Sequence, residues 1–206
     1  MVWAVLEARE LNEMAIKAII SDCFGVLVFS GHDILVKKYP EYLEQFLKIQ
    51  EQSDLGLLHR PQYDVQISDI TGLSIDVLEN KYWKNNQVNY PMLELLAEYR
   101  KSGKYKTGLL SNVSREWMGE FLPIFESMQV FDATILSGDV GLIKPYPKIY
   151  KLMIDKMGFE PSECLMIDDR AANIEGAKAA GMQGIVFKSF EQAKLDITKS
   201  LEENNA

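Results

Sequence analysis

The sequence is poor in the residues that usually make metal clusters and disulfide scaffolds. It has two cysteines, Cys23 and Cys164, and two histidines, His32 and His59, among 206 residues. Neither pair forms a CxxC or HExxH pattern, so a structural zinc centre and a Ser-His-Asp arrangement have no candidates. Both cysteines lie in apolar runs, which suits a reducing compartment. No apolar run approaches the roughly 18 residues of a spanning helix, and Met1 to Glu13 has neither a positive start nor a cleavage signature. We therefore expect a cytoplasmic protein with no membrane partner. Excess positive charge is also lacking: the formal net charge is -8. Without a basic patch to displace counterions, nucleic acid is not an expected partner. No GxxxxGK[ST] is present, and no GxGxxG opens a helix.

What is there is an ordinary globular composition, 47% hydrophobic and 25% charged, enough to bury a sizeable core without staples. Residues 15–28 read as a buried strand ending in a turn. Shorter apolar runs recur at 107–111, 131–136, 164–167 and 184–187. Helical spacing fills 91–103, 114–125, 147–158 and 171–181, with glycine ends at Gly103, Gly158 and Gly181. Strands alternating with helices predict an α/β fold, a Rossmann-like three-layer core around a parallel sheet. From about Phe29 to Tyr90 helical spacing alone persists and no buried-strand run is seen. That predicts an inserted cap of three or four helices over 30–90, a core made of 14–29 and 91–206, and an N-terminal extension over 1–13.

In a parallel sheet, ligands gather beyond the carboxyl ends of the strands. The polar residues there are Asp22, Ser111 with Asn112, Lys144, and Asp168 and Asp169 with Asn173 downstream. Converging acids of this kind repel unless a cation sits among them. Oxygen donors without histidine or thiolate point to Mg²⁺ as the cofactor. A lysine alongside completes a site for a phosphoryl group, and one carboxylate remains to attack it.

Four segments in order, IISDCFGVL, LLSNVS, GLIKPYPKIY and CLMIDDRAANIEGAKAAGM, resemble the haloacid dehalogenase-like hydrolase superfamily, in the subgroup with a helical cap after the first motif. The resemblance spans 14–190. It implies Asp22 as nucleophile and metal ligand, with the Phe24 backbone carbonyl and Asp169 as further ligands and Asp168 acting through water. Ser111, the Asn112 amide and Lys144 would hold the phosphoryl group, and Asn173 would support the metal site from behind. The expected partner is a small phosphorylated metabolite, and the expected state is a monomer or weak homodimer. One position departs from the pattern. Phosphatases of the family usually carry a second aspartate two residues after the nucleophile, where this chain has Phe24. An aromatic residue there resembles the dehalogenases proper, which look metal-free and lack adjacent acids in the fourth motif. Three readings follow: an Mg²⁺-dependent phosphatase, a 2-haloacid dehalogenase, and a weakly active or non-catalytic binder of a phosphorylated ligand. His59, Arg60 and the Gly-containing stretch before them are candidates for substrate contact from the cap. His32 is expected to be solvated or to line the cap, and Cys23 to be an apolar filler.

Overall fold

A computed structural model describes residues 15–203. The expected extension over 1–13, and the last three residues, lie outside the described part. Five strands form one parallel sheet: β1 (Ala18–Ser21), β4 (Lys106–Ser111), β5 (Ala133–Leu136), β6 (Cys164–Asp168) and β7 (Gln183–Val186), in the order β5-β4-β1-β6-β7. The chain builds outward from β1 on one side, then crosses back to build β6 and β7 on the other. The change of direction opens a crevice at the carboxyl end of β1.

Period-two alternation sorts the strand residues onto two faces. Ile19, Leu109, Leu165 and Ile167 pack with Leu93 and Leu96 from helix Tyr90–Lys101 and Ile197 from helix Phe190–Glu203. Ile20, Leu110 and Met166 pack on the other face with Ile149, Tyr150 and Met153 from helix Pro147–Met157 and Ile174 from helix Ala171–Ala179. Both faces are covered, which is why each strand reads as a nearly continuous apolar run. Gly108 belongs to this packing, because a Cβ there would come within 2.4 Å of Met153 Cε.

The expected α/β core of helices on both faces of a parallel sheet is what the fold shows. Several elements differ from the sequence reading. The first run leaves the sheet at Ser21, and the amides of Val26, Leu27 and Val28 all donate to the Cys23 carbonyl in a tight turn. After the turn, β2 (Val28–Phe29) pairs antiparallel with β3 (Gln87–Val88), a two-residue ribbon inside a stretch expected to hold no strand. The segment 114–125 is not one helix. It is a 3₁₀ turn (Arg115–Met118) and then a short helix (Leu122–Ser127), parted at Gly119 and with Pro123 near the second start. Helix Phe190–Glu203 adds a covering element, burying Ala193, Ile197 and Leu201 at four-residue spacing.

Between β2 and β3 lie helices Gly31–Lys38, Leu43–Asp54, Arg60–Thr71 and Ile75–Leu78, the last running into a π-helical turn, Glu79–Trp83. They have their own buried cluster of Leu35, Phe46, Ile49, Tyr63, Ile67, Leu78, Tyr82 and Trp83. Ser30 starts the first helix by accepting from the His32 amide at 3.0 Å. Gly31 then lets that helix meet the π-helical turn, since a Cβ there would lie 1.8 Å from the Tyr82 carbonyl oxygen. Gly31→Ala is accordingly expected to cost about 1–3 kcal/mol through overpacking. Thermal or denaturant unfolding checks it, and unchanged stability would show that the two helices do not approach so closely.

Candidate active site

Register brings the polar strand ends together. Ser21 on β1 faces Ile167 on β6 and Leu109 on β4, so the next residue along, Asp22, emerges beside Asp168 and near Ser111. The Asp22 amide donates to the Ile167 carbonyl at 2.9 Å. Lys144 arrives from the loop after β5 and is wholly buried. Its Nζ lies 2.9 Å from Asp22 Oδ1 and 2.6 Å from Asp168 Oδ2. The structure therefore places Asp22, Lys144, Asp168, Asp169, Ser111, Asn112 and Asn173 around one crevice, with Phe24 in its wall.

Asp168 is fully engaged. Its carboxylate accepts from Lys144, from Asn173 Nδ2 at 2.9 and 3.1 Å, and from the Arg170 amide at 2.9 Å. Asn173 is held in turn by Tyr150, whose hydroxyl donates to the Asn173 carbonyl at 2.6 Å. Asp22 Oδ1 accepts from the Cys23 amide at 2.7 Å as well as from Lys144, while no described donor reaches Oδ2. The Asn112 side chain has a task the sequence reading leaves out: Nδ2 donates to the Lys144 carbonyl at 2.9 Å and Oδ1 accepts from the Lys144 amide at 2.8 Å. This reciprocal pair pins the lysine loop to the end of β4. Ser111 Oγ is buried and has no partner among the described residues, an orphan that a bound oxygen would satisfy.

Glycine shapes two close approaches. Gly25 has φ +87, and a Cβ there would sit 2.4 to 2.8 Å from the carboxylate atoms of Asp169. Gly176 brings helix Ala171–Ala179 against the lysine loop, where a Cβ would be 2.5 Å from the Pro145 carbonyl oxygen.

The electrostatics are unbalanced. Ligand atoms of Asp22, Asp168 and Asp169 all lie within 4.8 Å of one another, and Lys144 offsets one of the three charges. Burial, opposed by Lys144 and reinforced by Asp168, pushes Asp22 up to about 7. Asp169 is raised too, by burial and then by Asp168. Burial alone would lower Lys144, but Asp22 and Asp168 outweigh it and hold the ammonium above its usual range. A divalent cation fits this donor set: hard oxygens only, an uncommitted Asp22 Oδ2, and two unbalanced negative charges.

Phe24 presents a ring in T-shaped contact with Phe121, 5.9 Å between centroids. His32 lines the cavity, as one of the two expectations for it had it, and is half-buried. It stacks on Trp83, its Nε2 is buried without a partner, and burial lowers it to about 4. Arg60 stacks on Trp117 at 4.6 Å and pairs with Glu79. His59, also a candidate for substrate contact, is exposed, lies 2.9 Å from Glu116 and is not among the residues lining the cavity, whereas Arg60 is. Cys23 is buried, and burial raises its thiol well above the usual value, as suits a filler. Asp54, buried beside the cavity, is not singled out within the Gly-containing stretch before His59, because nothing in SDLG distinguishes it from a helix-end acid.

Residues 16–181 match the family model for haloacid dehalogenase-like hydrolases. The chain belongs to this family. It is 28% identical over 190 residues to the D-ribitol-5-phosphate phosphatase of Bacteroides thetaiotaomicron, covering 82% of this chain and 90% of that one. It is also 29% identical over 133 residues to the bifunctional epoxide hydrolase 2 of Sus scrofa, covering 61% of this chain but 23% of that one, so it spans about a quarter of the length of that relative. A family enzyme from Bacteroides thetaiotaomicron, solved with magnesium and inorganic phosphate, shares the fold with a TM-score of 0.66 at 24% identity, covering 84% of this chain and 95% of that one. Among the described residues no helix is long and apolar enough to cross a membrane.

Replacing Lys144 by Met should cost about 3–5 kcal/mol without divalent cations at pH 8, because two buried carboxylates lose their counter-charge. The penalty should shrink toward pH 5. Asp22, about 7 folded against 3.8 unfolded, binds its proton more readily in the folded state, so its contribution to stability is complete below 3.8 and is lost as pH rises through 7. Once protonated it is no longer an unpaired buried anion. Urea unfolding at the two pH values decides this; a penalty growing at low pH would contradict the assignment of charges.

Proposed function

We propose that this protein is a phosphoric monoester hydrolase acting on a small phosphorylated metabolite, with Mg²⁺ as cofactor and an aspartyl-phosphate on Asp22 as intermediate. The observation that carries this reading is the meeting of three features at one strand edge. The Asp22 carboxylate has one free oxygen, Oδ2, a buried ammonium lies 2.9 Å from its other oxygen, Oδ1, and a buried hydroxyl, Ser111 Oγ, lacks a partner among the described residues. The phosphatase named among the relatives supports the same chemistry.

In this reading Asp22 Oδ2, the Phe24 carbonyl and Asp169 would hold the cation; Asp168, expected to reach it through water, has both oxygens taken by Lys144, Asn173 and the Arg170 amide and would act by holding Lys144 instead. Bound there, the cation would supply positive charge to the phosphoryl oxygens. The remaining work falls to the chain. One Asp22 oxygen attacks phosphorus, while Lys144 favours the ionised form of the carboxylate and neutralises charge gathering on the phosphoryl group. Ser111 and the Asn112 amide donate to phosphoryl oxygens. Asn173, Arg170 and Lys144 fix Asp168, so that it keeps Lys144 aimed at Asp22. The helices of the 30–90 insert act as a cap that excludes water and reads the rest of the substrate. With the chain elsewhere divided as 14–29 and 91–206, the cavity of about 330 Å³ between core and cap suits a small organic phosphate.

A 2-haloacid dehalogenase is the second reading, and the Phe24 ring in the cavity wall favours it. The acidic cluster of Asp22, Asp168 and Asp169 opposes it, since halide leaves without a cation's help. A panel of phosphorylated metabolites and short 2-haloacids, assayed with Mg²⁺ and with a chelator, separates the two. Asp22→Asn should remove at least about 10⁴-fold of turnover. Asp169→Ala should raise the Mg²⁺ requirement further than Asn173→Ala, whose effect should be about 10–100-fold. Chelator-resistant halide release without phosphatase activity would overturn the proposal.

A further inference from the structure

Cleaving an alkyl phosphate leaves an oxygen that must gain a proton, and the strand-end groups have none to give. Lys144 is shared between two carboxylates, Asp168 accepts from three groups, and the Phe24 ring has no transferable proton. On the helical side of the same cavity stands Asp54, the last residue of helix Leu43–Asp54. Its surroundings are built around it. Oδ1 accepts from Gln50 Nε2 at 2.7 Å, and Gln50 Oε1 accepts from the Tyr63 hydroxyl at 2.9 Å. The Asp54 backbone carbonyl accepts from Ser137 Oγ, which ties this helix end to the core. No donor among the described residues reaches Oδ2, and Asp54 is 8% exposed.

We propose that Asp54, reaching from the helical insert, is the proton donor to the leaving oxygen and later the acceptor of a proton from the attacking water. This rests on the phosphatase reading above. In the first step the bond from Asp22 to phosphorus forms as the ester P–O bond breaks; the departing oxygen keeps the electron pair and takes the Asp54 proton. In the second, water attacks phosphorus and gives a proton to the Asp54 carboxylate, while the bond to Asp22 breaks and restores its carboxylate. The sum is ester plus water to alcohol plus phosphate, with Asp54 protonated again.

The surroundings suit this role. Burial pushes Asp54 up to about 7, against the pull of the Gln50 hydrogen bond, Lys144 and Arg170 and with a push from Glu51. Tyr63 is held protonated, well above its usual range, by burial and by Asp54 and Asp64, so it does not compete. Asp33 and Glu120 also line the cavity, but both are exposed. His32 is kept neutral by burial, which leaves it able to contact a substrate hydroxyl and unable to serve as an acid near neutral pH.

The test compares wild type, Asp54→Asn and Gln50→Leu, with Mg²⁺, on 4-nitrophenyl phosphate and on 2-hydroxyethyl phosphate, with unfolding midpoints recorded alongside. In kcat/KM, which excludes the water step common to both esters, Asp54→Asn should cost about 10²- to 10⁴-fold on the alkyl ester and no more than about tenfold on the nitrophenyl ester, whose leaving group needs little protonation. It should also flatten the alkaline fall of the alkyl-ester pH profile. Gln50→Leu, which removes a donor to the carboxylate, should move that fall to higher pH. Equal losses of kcat/KM on both esters, no loss, or an unmoved alkaline limb in Gln50→Leu would overturn the assignment of Asp54 while leaving the phosphatase reading in place. A wild type inactive on every phosphate ester would remove that reading, and this proposal with it.

Discussion

The buried ammonium of Lys144 is the constraint on which the rest of this site depends. A charge taken out of water is tolerated only when paired and hydrogen-bonded on all sides, and Lys144 meets that demand with Asp22 and Asp168 from adjacent strands. The requirement propagates outward. Asp168 needs Asn173 and the Arg170 amide, Asn173 leans on Tyr150, and Asn112 clamps the lysine loop. Gly176 has no side chain because that loop passes where one would be. Residues far apart in sequence thus share one electrostatic balance, in which three acids face one ammonium.

The helical insert meets the core by a different principle. Aromatic faces do most of the joining: Trp117, from the segment after β4, packs edge-on against Trp83 and Tyr63 of the insert. Arg60 covers the other side of Trp117. Glu116 accepts from the Arg60 amide at 2.8 Å, so a core carboxylate satisfies the N-terminus of helix Arg60–Thr71. The ribbon of β2 and β3 gathers the two chain crossings side by side. Packed in this way, the insert brings polar groups, His32 and Asp54 among them, to a cavity whose opposite wall carries the acids.

Much of the core was legible because its signals are local. A strand buried on both faces must be apolar throughout, and the polar residue that ends it stands out; Asp22, Ser111 and Asp168 were visible for that reason. Boundaries were harder to read. The run 15–28 looks like one strand, yet its second half folds into a turn on the Cys23 carbonyl, and the 114–125 pattern hides a break. Val28–Phe29 and Gln87–Val88 are too short to leave a periodic trace and exist only as each other's partner.

By itself, the sequence determined the fold class, the family, and the set of acids, lysine and hydroxyl at the strand ends, because period, run length and motif spacing are properties of neighbouring residues. The tertiary structure decided which of those groups are already committed. It spent both oxygens of Asp168 on its neighbours, left one oxygen of Asp22 free, and gave the Asn112 side chain to the lysine loop. It also turned Asp54 into a buried group and His32 into a half-buried one with its Nε2 buried, both facing the site, though in sequence they are ordinary polar residues of a helical stretch. Burial, charge balance and the pairing of polar atoms depend on what lies across the cavity, and that is set by packing between elements that no local pattern encodes.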